Sequence, residues 1–100
     1  MTKTELEHIA AIFRGLADPG RLALMLLLEG GEKNVSELVS LSNEKVVNVS
    51  SRLRELYHAK LVNRRREGRH IYYTLADLHI THIIHNAREH GMECKTEEMP

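Results

Sequence analysis

The sequence is poor in cysteine and proline and contains no linker. Its 100 residues include a single cysteine, Cys94, which excludes an intrachain disulfide framework and any metal cluster that needs several thiolates. Two prolines, Pro19 and Pro100, lie at a turn and at the terminus, and no Pro/Gly/Ser-rich stretch divides the chain. We therefore predict one domain over residues 1–100, with 1–3 and 94–100 flexible.

Long hydrophobic runs are also absent. The longest, residues 22–28, is far shorter than the ~18 residues that cross a bilayer, and the N-terminus lacks the basic-then-apolar order of a signal peptide. Hydrophobic residues make up 42% and charged residues 28%, which is typical of a folded globular domain and excludes intrinsic disorder. We expect a cytoplasmic protein without membrane contacts.

Net charge of either sign is lacking as well, since 14 basic residues balance 14 acidic ones. The charges are unevenly placed, however. Residues 52–70 hold seven basic residues against two acidic ones, a local excess of five positive charges. Because contact with a phosphate backbone depends on local charge, this segment is a candidate nucleic-acid-binding surface.

Apolar periodicity predicts four helices in the first sixty residues. The first helix covers 4–17, and the second runs from the turn at 18–20 to about 29. The third begins at a cap, Asn34 or Ser36, and ends at about 41, and the fourth covers 45–58. A turn at 42–44 joins the last two into a helix-turn-helix. The fourth helix is predicted to direct Val46, Val49, Leu53 and Leu56 to the core.

The rest of the chain predicts a β-hairpin and a final helix. Strands at 61–66 and 69–75 flank a two-residue turn, Glu67-Gly68. The last helix is predicted to begin with Asp77 as its N-cap and to end near His90 or Met92. This order of elements indicates a mainly α fold, a winged helix-turn-helix of five helices with a two-stranded β-hairpin wing.

Four segments also carry a family signature. They are LADPGRL at 16–22, VSSRLREL at 49–56, LV at 61–62 and REGRHIYY at 66–73. Together they resemble the ArsR/SmtB family of metal-responsive repressors, over roughly residues 10–93 and without an evident gap. The resemblance implies a homodimeric repressor, not an enzyme, that binds an inverted-repeat operator in double-stranded DNA and releases it when a metal ion binds.

The fourth helix and the hairpin together form the predicted DNA-binding surface. On the outer face of the helix, asparagine can pair with adenine, serine with several bases, and valine can contact a thymine methyl group. Arginines around a hairpin turn are typical of a wing laid along phosphates or into the minor groove. The predicted residues are Lys45, Val47, Asn48, Ser50, Ser51, Arg52 and Arg54 in the helix, and Arg64, Arg65, Arg66 and Arg69 in the hairpin.

The last helix is rich in histidine. His79 and His90 share one face but stand about 16 Å apart along the axis, so one helix cannot bring both to one ion. In an antiparallel pair of copies, residues face each other when their numbers have a constant sum, so Asp77 and His79 of one copy would meet His90 and Glu93 of the other. Two imidazoles and two carboxylates make a neutral four-coordinate site suited to Zn(II), with Co(II) or Ni(II) as alternatives. The spacing resembles that of the family's zinc sensors.

Several alternatives stay open at this point. Gly91 could end the helix before Glu93, which would leave Cys94 as a rival fourth ligand. His82 and His85 are interpreted first as surface or interface residues; the alternative for His82 is a ligand or a support for one, whereas His85 points away from the predicted site. Where the family's other metal motif has cysteines, this chain has Val39 and Leu41, so a thiolate site is excluded there. The alternative function is a winged-helix DNA-binding regulator that senses no metal.

Overall fold

The structure, a computed structural model, describes residues 1–97, with side chains described through Glu93. Its elements in chain order are α1 (Lys3–Leu16), α2 (Pro19–Leu28), β1 (Lys33–Asn34), α3 (Val35–Ser42), α4 (Val46–His58), β2 (Val62–Glu67), β3 (His70–Leu75) and α5 (Leu78–Glu97). Five helices and a hairpin wing confirm the predicted winged helix-turn-helix. No helix in the described part of the chain combines the length and the apolar character needed to cross a membrane.

Side-chain caps explain where three of the helices begin. Thr2 and Glu5 form a capping box at the start of α1, and Asn34 and Glu37 form another at the start of α3. The Oδ2 atom of Asp18 accepts a hydrogen bond of 2.9 Å from the backbone N–H of Arg21 at the start of α2. Each such cap stabilises its helix by about 1 kcal/mol. Of the two predicted caps for the third helix, Asn34 is therefore the correct one.

The wing belongs to a three-stranded antiparallel sheet with the order β1-β3-β2. The register pairs Glu67 with His70, so the turn consists of Gly68 and Arg69, and the prediction of Glu67-Gly68 was wrong by one residue. Gly68 has a φ of 61°, which suits the first central position of a type II′ turn, where glycine is favoured. The short strand β1 was not predicted, and it widens the base of the wing.

The core lies between the helix-turn-helix and the sheet. Its buried residues are Leu24, Met25, Leu28, Leu38, Val49, Leu53, Leu56, Leu61, Val62, Tyr73, Ile80 and Ile84. Three of the four predicted core residues of α4 belong to this set, but Val46 is 54% exposed. Since Lys45 is the N-cap, Val46 is the first residue of the helix and lies beyond the edge of the core.

The last helix is longer than predicted. It continues through Gly91 to Glu97 instead of ending near His90 or Met92. A glycine inside a helix costs about 1 kcal/mol, which the helix-forming residues on either side of it can offset. Glu93 therefore remains on the same helix as His79 and His90, and residues 94–97 are helical. The predicted flexibility of 1–3 and 94–100 stays a prediction, and residues 98–100 lie outside the described part.

Candidate nucleic-acid interface and metal site

The outer face of α4 carries the polar residues predicted to meet DNA. Its inner residues Val49, Leu53 and Leu56 are fully buried, which fixes the rotation of the helix about its axis. Lys45, Val47, Asn48, Ser51 and Arg54 are exposed, and Ser50 is half-buried. The exposed fraction of Val47 is 72%. Six of the seven predicted helix residues therefore lie at or near the surface, on the side away from the core.

The seventh, Arg52, is engaged by its own chain. A Cβ atom on Gly20 would lie 2.4 Å from Nε of Arg52, so the guanidinium fills the space that a side chain at the start of α2 would occupy. Its Nη1 atom also lies 3.8 Å from Oε1 of Glu44. Arg52 thus holds α4 against α2, a role that its position in the sequence did not indicate.

A second arginine, Arg21, connects α4 to the end of α1. Its Nε atom donates to the carbonyl oxygen of Gly15 at 2.9 Å and its Nη2 atom to that of Arg14 at 3.1 Å. Its Nη1 atom lies 2.6 Å from Oε2 of Glu55, on α4. One guanidinium therefore caps the last turn of α1 and fixes the opposing helix. Arg21 belongs to the LADPGRL signature, but sequence reasoning gave it no role because Glu55 is 34 positions away.

The wing arginines differ in what they contact. The guanidinium carbon of Arg64 lies 3.8 Å from the ring centroid of Tyr57, a cation-π contact that joins the wing to α4. The Nε atom of Arg66 donates to the carbonyl oxygen of Gly68 at 3.3 Å. Within the described part of the chain, neither Arg66 nor Arg69 has a carboxylate partner. Arg66 and Arg69, which lie beside the turn of the wing, are therefore cations without a carboxylate partner in the described part of the chain.

Arg65 is surrounded by acidic and aromatic groups. Its Nε and Nη2 atoms donate to the two carboxylate oxygens of Glu32, at 2.8 and 2.6 Å, and its Nη1 atom donates to Glu67 at 2.8 Å. The guanidinium carbon lies 4.6 Å from the ring centroid of Tyr72. The hydrogen bonds from Arg65 hold the pKa of the Glu32 carboxyl below its ordinary value, and those carboxylates raise the pKa of Arg65.

The four predicted metal ligands lie at two levels of α5. Asp77 is the N-cap, with Oδ1 accepting a 2.9 Å hydrogen bond from the backbone N–H of Ile80. The Nδ1 atom of His79 lies 3.8 Å from the same oxygen, and the His79 side chain is 91% exposed. His90 and Glu93 are exposed about three turns further on. In one copy, no three metal-binding side chains among the described residues converge on a common point.

Two histidines that looked isolated in the sequence lie beside the predicted ligands. His8 on α1 and His58 at the end of α4 line an open groove of about 530 Å³, together with Asp77 and His79. The groove is also lined by Ile80 and other apolar residues. Periodicity could not have indicated this neighbourhood, because three separate helices form it.

His85 belongs to a polar cluster that fastens α5 to α2. Its Nδ1 atom lies 3.4 Å from Oε2 of Glu29, and Nε of Arg88 donates to Oε1 of Glu29 at 3.0 Å. The hydrogen bond from Arg88 is the main reason that the pKa of the Glu29 carboxyl lies below its ordinary value. This cluster agrees with the prediction that His85 points away from the metal ligands.

Two helices leave apolar surface uncovered in a single copy. On α1, Leu6 and Phe13 are 58% and 59% exposed, and no residue of this helix is fully buried. On α5, Leu78 and Met92 are 71% and 60% exposed. Large apolar side chains exposed on α1 and α5 favour a protein-protein contact at these helices.

The comparisons with known proteins agree with this architecture. No family model matches the sequence. The chain is 37% identical over 93 residues to a transcriptional repressor SmtB homolog of Synechocystis, covering 93% of this chain and 70% of that protein. It is 36% identical over 88 residues to the HTH-type transcriptional repressor SmtB of Mycobacterium tuberculosis, covering 88% and 65% of the two chains.

A solved structure from Mycobacterium bovis confirms the fold. That protein is the homodimeric winged helix-turn-helix DNA-binding domain of a possible ArsR-family transcriptional regulator. It superimposes with a TM-score of 0.83 at 23% identity and covers 100% of this chain and 92% of that one. The architecture is therefore that of the winged helix-turn-helix proteins. The sequence relatives define the family within that class: the chain belongs to the ArsR/SmtB family of metal-sensing transcriptional repressors, and it is not an enzyme.

Proposed function

We propose that this chain represses transcription as a homodimer that binds an inverted-repeat operator, and that a divalent ion between the two last helices releases the DNA. The observation that carries the first half is the outer face of α4, where exposed polar residues and Val47 surround a buried inner row. A helix of this kind fits the major groove of DNA. Arg66 and Arg69, the wing cations without a carboxylate partner in the described part of the chain, suit phosphate contacts.

The homodimer is supported by the uncovered apolar residues of α1 and α5. A dimer with twofold symmetry buries the same patch on both copies. A single contact would therefore cover the exposed residues Leu6, Ile9 and Phe13 of each copy. Two copies also present two recognition helices, which is what an inverted repeat requires.

The metal site is supported by the continuity of α5. Because the helix passes Gly91 without a break, Asp77 and His79 at one level and His90 and Glu93 at the other stay on one rigid element. The donor set of two imidazole nitrogens and two carboxylates suits Zn(II), with Co(II) and Ni(II) as the nearest substitutes. A bound ion would supply bonds that join the two copies. The exposure of all four side chains leaves them accessible to a partner helix.

The coupling between metal and DNA follows from dimer geometry. A metal ion bound by both copies can favour one orientation of the subunits while the operator favours another. In that case metal binding weakens DNA binding, and DNA binding weakens metal binding, by the same free energy. The family relationship supports release as the sign of this coupling. The direct test selects a high-affinity duplex from a random library and titrates it by fluorescence anisotropy, first without metal and then with Zn(II), Co(II) and Ni(II). Equal affinity in all four titrations would identify a regulator that senses no metal.

Alanine at Arg66 and alanine at Asn48 should weaken DNA binding in different ways. Loss of a phosphate contact in Arg66→Ala lowers affinity for every sequence and reduces the slope of log K against log salt by about 0.9 per subunit. Loss of an adenine contact in Asn48→Ala reduces the difference in affinity between the operator and a random duplex, while the slope of log K against log salt stays unchanged. Salt titrations on both duplexes measure the two effects. A changed sequence preference in Arg66→Ala would mean that the wing reads bases.

The fourth ligand can be decided by cobalt spectroscopy. We expect Glu93, since the helical course of α5 removes the reason to replace it with Cys94. On a continuous helix, consecutive residues point about 100° apart, so the two cannot serve the same site equally. An all N/O Co(II) site shows only weak tetrahedral d-d bands, whereas a thiolate adds an intense near-ultraviolet band. If that band appears and Cys94→Ser removes it, the assignment of Glu93 is wrong.

A further inference from the structure

Arg65 lies on β2, an edge strand of the sheet, and its side chain reaches across that sheet. The strand order places β3 between β1 and β2, and the register sets Arg65 of β2 beside Tyr72 of β3, which in turn lies beside Asn34 of β1. The Arg65 side chain extends over the Tyr72 ring to Glu32, just before β1. A single side chain therefore spans all three strands.

The charges around Arg65 oppose a contact with DNA. One guanidinium lies among the two carboxylates of Glu32 and Glu67, so the cluster carries a net charge of −1. A phosphate would have to displace a bidentate carboxylate and approach a second one. Arg66 and Arg69, by contrast, have no carboxylate partner among residues 1–93.

The contact of Arg65 with Glu32 instead connects the wing to the body, because Glu32 lies in the segment between α2 and β1. The contact with Glu67 lies within β2, immediately before the turn at the wing tip. An isolated exposed ion pair contributes little to stability, but a bidentate pair within a network that also stacks on a ring holds one geometry. Such a network sets the angle at which the tip stands relative to α4.

We propose that Arg65 is a positioning residue, which fastens the wing to Glu32 so that Arg66 and Arg69 reach the phosphates, and that it does not itself contact DNA. This proposal rests on the proposed DNA-binding function. It also changes the role expected of Arg65 from the sequence, where four wing arginines appeared equivalent.

The Glu32→Gln variant separates the two roles by the sign of its effect. If Arg65 positions the wing, loss of the Glu32 charge loosens the wing and weakens operator binding by about three- to tenfold, with the salt slope unchanged. If Arg65 contacts phosphate, the same variant frees the guanidinium, so that binding strengthens and the slope becomes steeper. Arg65→Gln should match Glu32→Gln, and the double variant should be no weaker than either single variant.

Arg66→Ala is the matched control, because it should lower the slope by about 0.9 per subunit while leaving the Arg65 network intact. Amide hydrogen exchange of the metal-free, DNA-free protein gives a readout independent of DNA: exchange in β2 and β3 should accelerate in Glu32→Gln and Arg65→Gln but not in Arg66→Ala. A reduced slope in Arg65→Gln, or unchanged exchange in Glu32→Gln, would overturn the positioning role. Failure of the wild-type protein to bind any duplex would instead refute the DNA-binding function, whatever the exchange result.

Discussion

Replacing His79 or His90 with alanine is expected to abolish the response to metal while leaving the affinity of the metal-free dimer for DNA within about threefold of wild type. A four-coordinate site that loses one imidazole loses most of its affinity, and mutation of even supporting residues typically costs 10–100-fold in metal binding. The His79 side chain is 91% exposed, so its loss should leave the fold intact. Anisotropy titrations with and without Zn(II) measure both quantities.

His82→Ala is the matched control for this experiment. His82 is an exposed histidine on the same helix, between the two predicted ligands, so its replacement removes an imidazole without removing a predicted bond. We expect its metal response to equal that of the wild type. Loss of the response in His82→Ala, or its retention in His79→Ala, would show that the ligand set is wrong.

The largest effect on stability is expected at Arg21. Arg21→Met keeps much of the apolar stem but loses three hydrogen bonds, to Gly15, Arg14 and Glu55. The side chain of Arg21 is only 22% exposed, and hydrogen bonds to charged groups are worth about 1.5–3 kcal/mol each before relaxation and water replace them. Allowing for that replacement, we expect a loss of about 2–3 kcal/mol, which lowers Tm by roughly 10–20 °C in a domain of this size.

Two further variants separate charge from geometry at this position. Arg21→Lys keeps the charge, but one ammonium group cannot serve three acceptors in the way that a planar guanidinium does, so it should recover only part of the lost stability. Arg14→Gln removes an exposed arginine of α1 and should change Tm by no more than about 4 °C. A melting temperature of Arg21→Met equal to that of Arg14→Gln would contradict the proposed role of Arg21.

Local patterns were sufficient to predict most of the elements of this fold. Caps and apolar spacing specify a helix within a few residues, and so Asp77 and one of the two predicted caps, Asn34, marked helix starts correctly. Asp18 was predicted only as part of a turn, although it caps α2. The helix end at Gly91 was wrong because a glycine only weakens a helix, and its neighbours decide whether the helix continues. The strand β1 was missed because two residues have no periodicity, and its partner strand lies almost forty positions later.

The role of a charged residue could be predicted only where it follows from the helix or strand that carries the residue. The exposed face of α4 follows from its period, but the fate of each arginine depends on partners remote in sequence. Arg65 and Glu32 are 33 positions apart, and Arg88 and Glu29 are 59 apart. No spacing rule links such pairs, so four wing arginines with similar surroundings in the sequence acquire different contacts in the fold.

The ion pair between Arg88 and Glu29 attaches α5 to the end of α2, and α5 extends beyond this attachment. Ile80 and Ile84 hold its first half in the core, whereas every residue from 85 to 93 is exposed. The proposed ligands His90 and Glu93 lie about 3 and 7.5 Å beyond Arg88 along the helix axis, so a tilt of 10° at the anchor would displace Glu93 by about 1.3 Å. Bond lengths to a metal tolerate about 0.2 Å, which at Glu93 corresponds to a tilt of about 1.5°. An ion held between the base of this helix in one copy and its outer part in the other would therefore respond to very small rotations between the two copies.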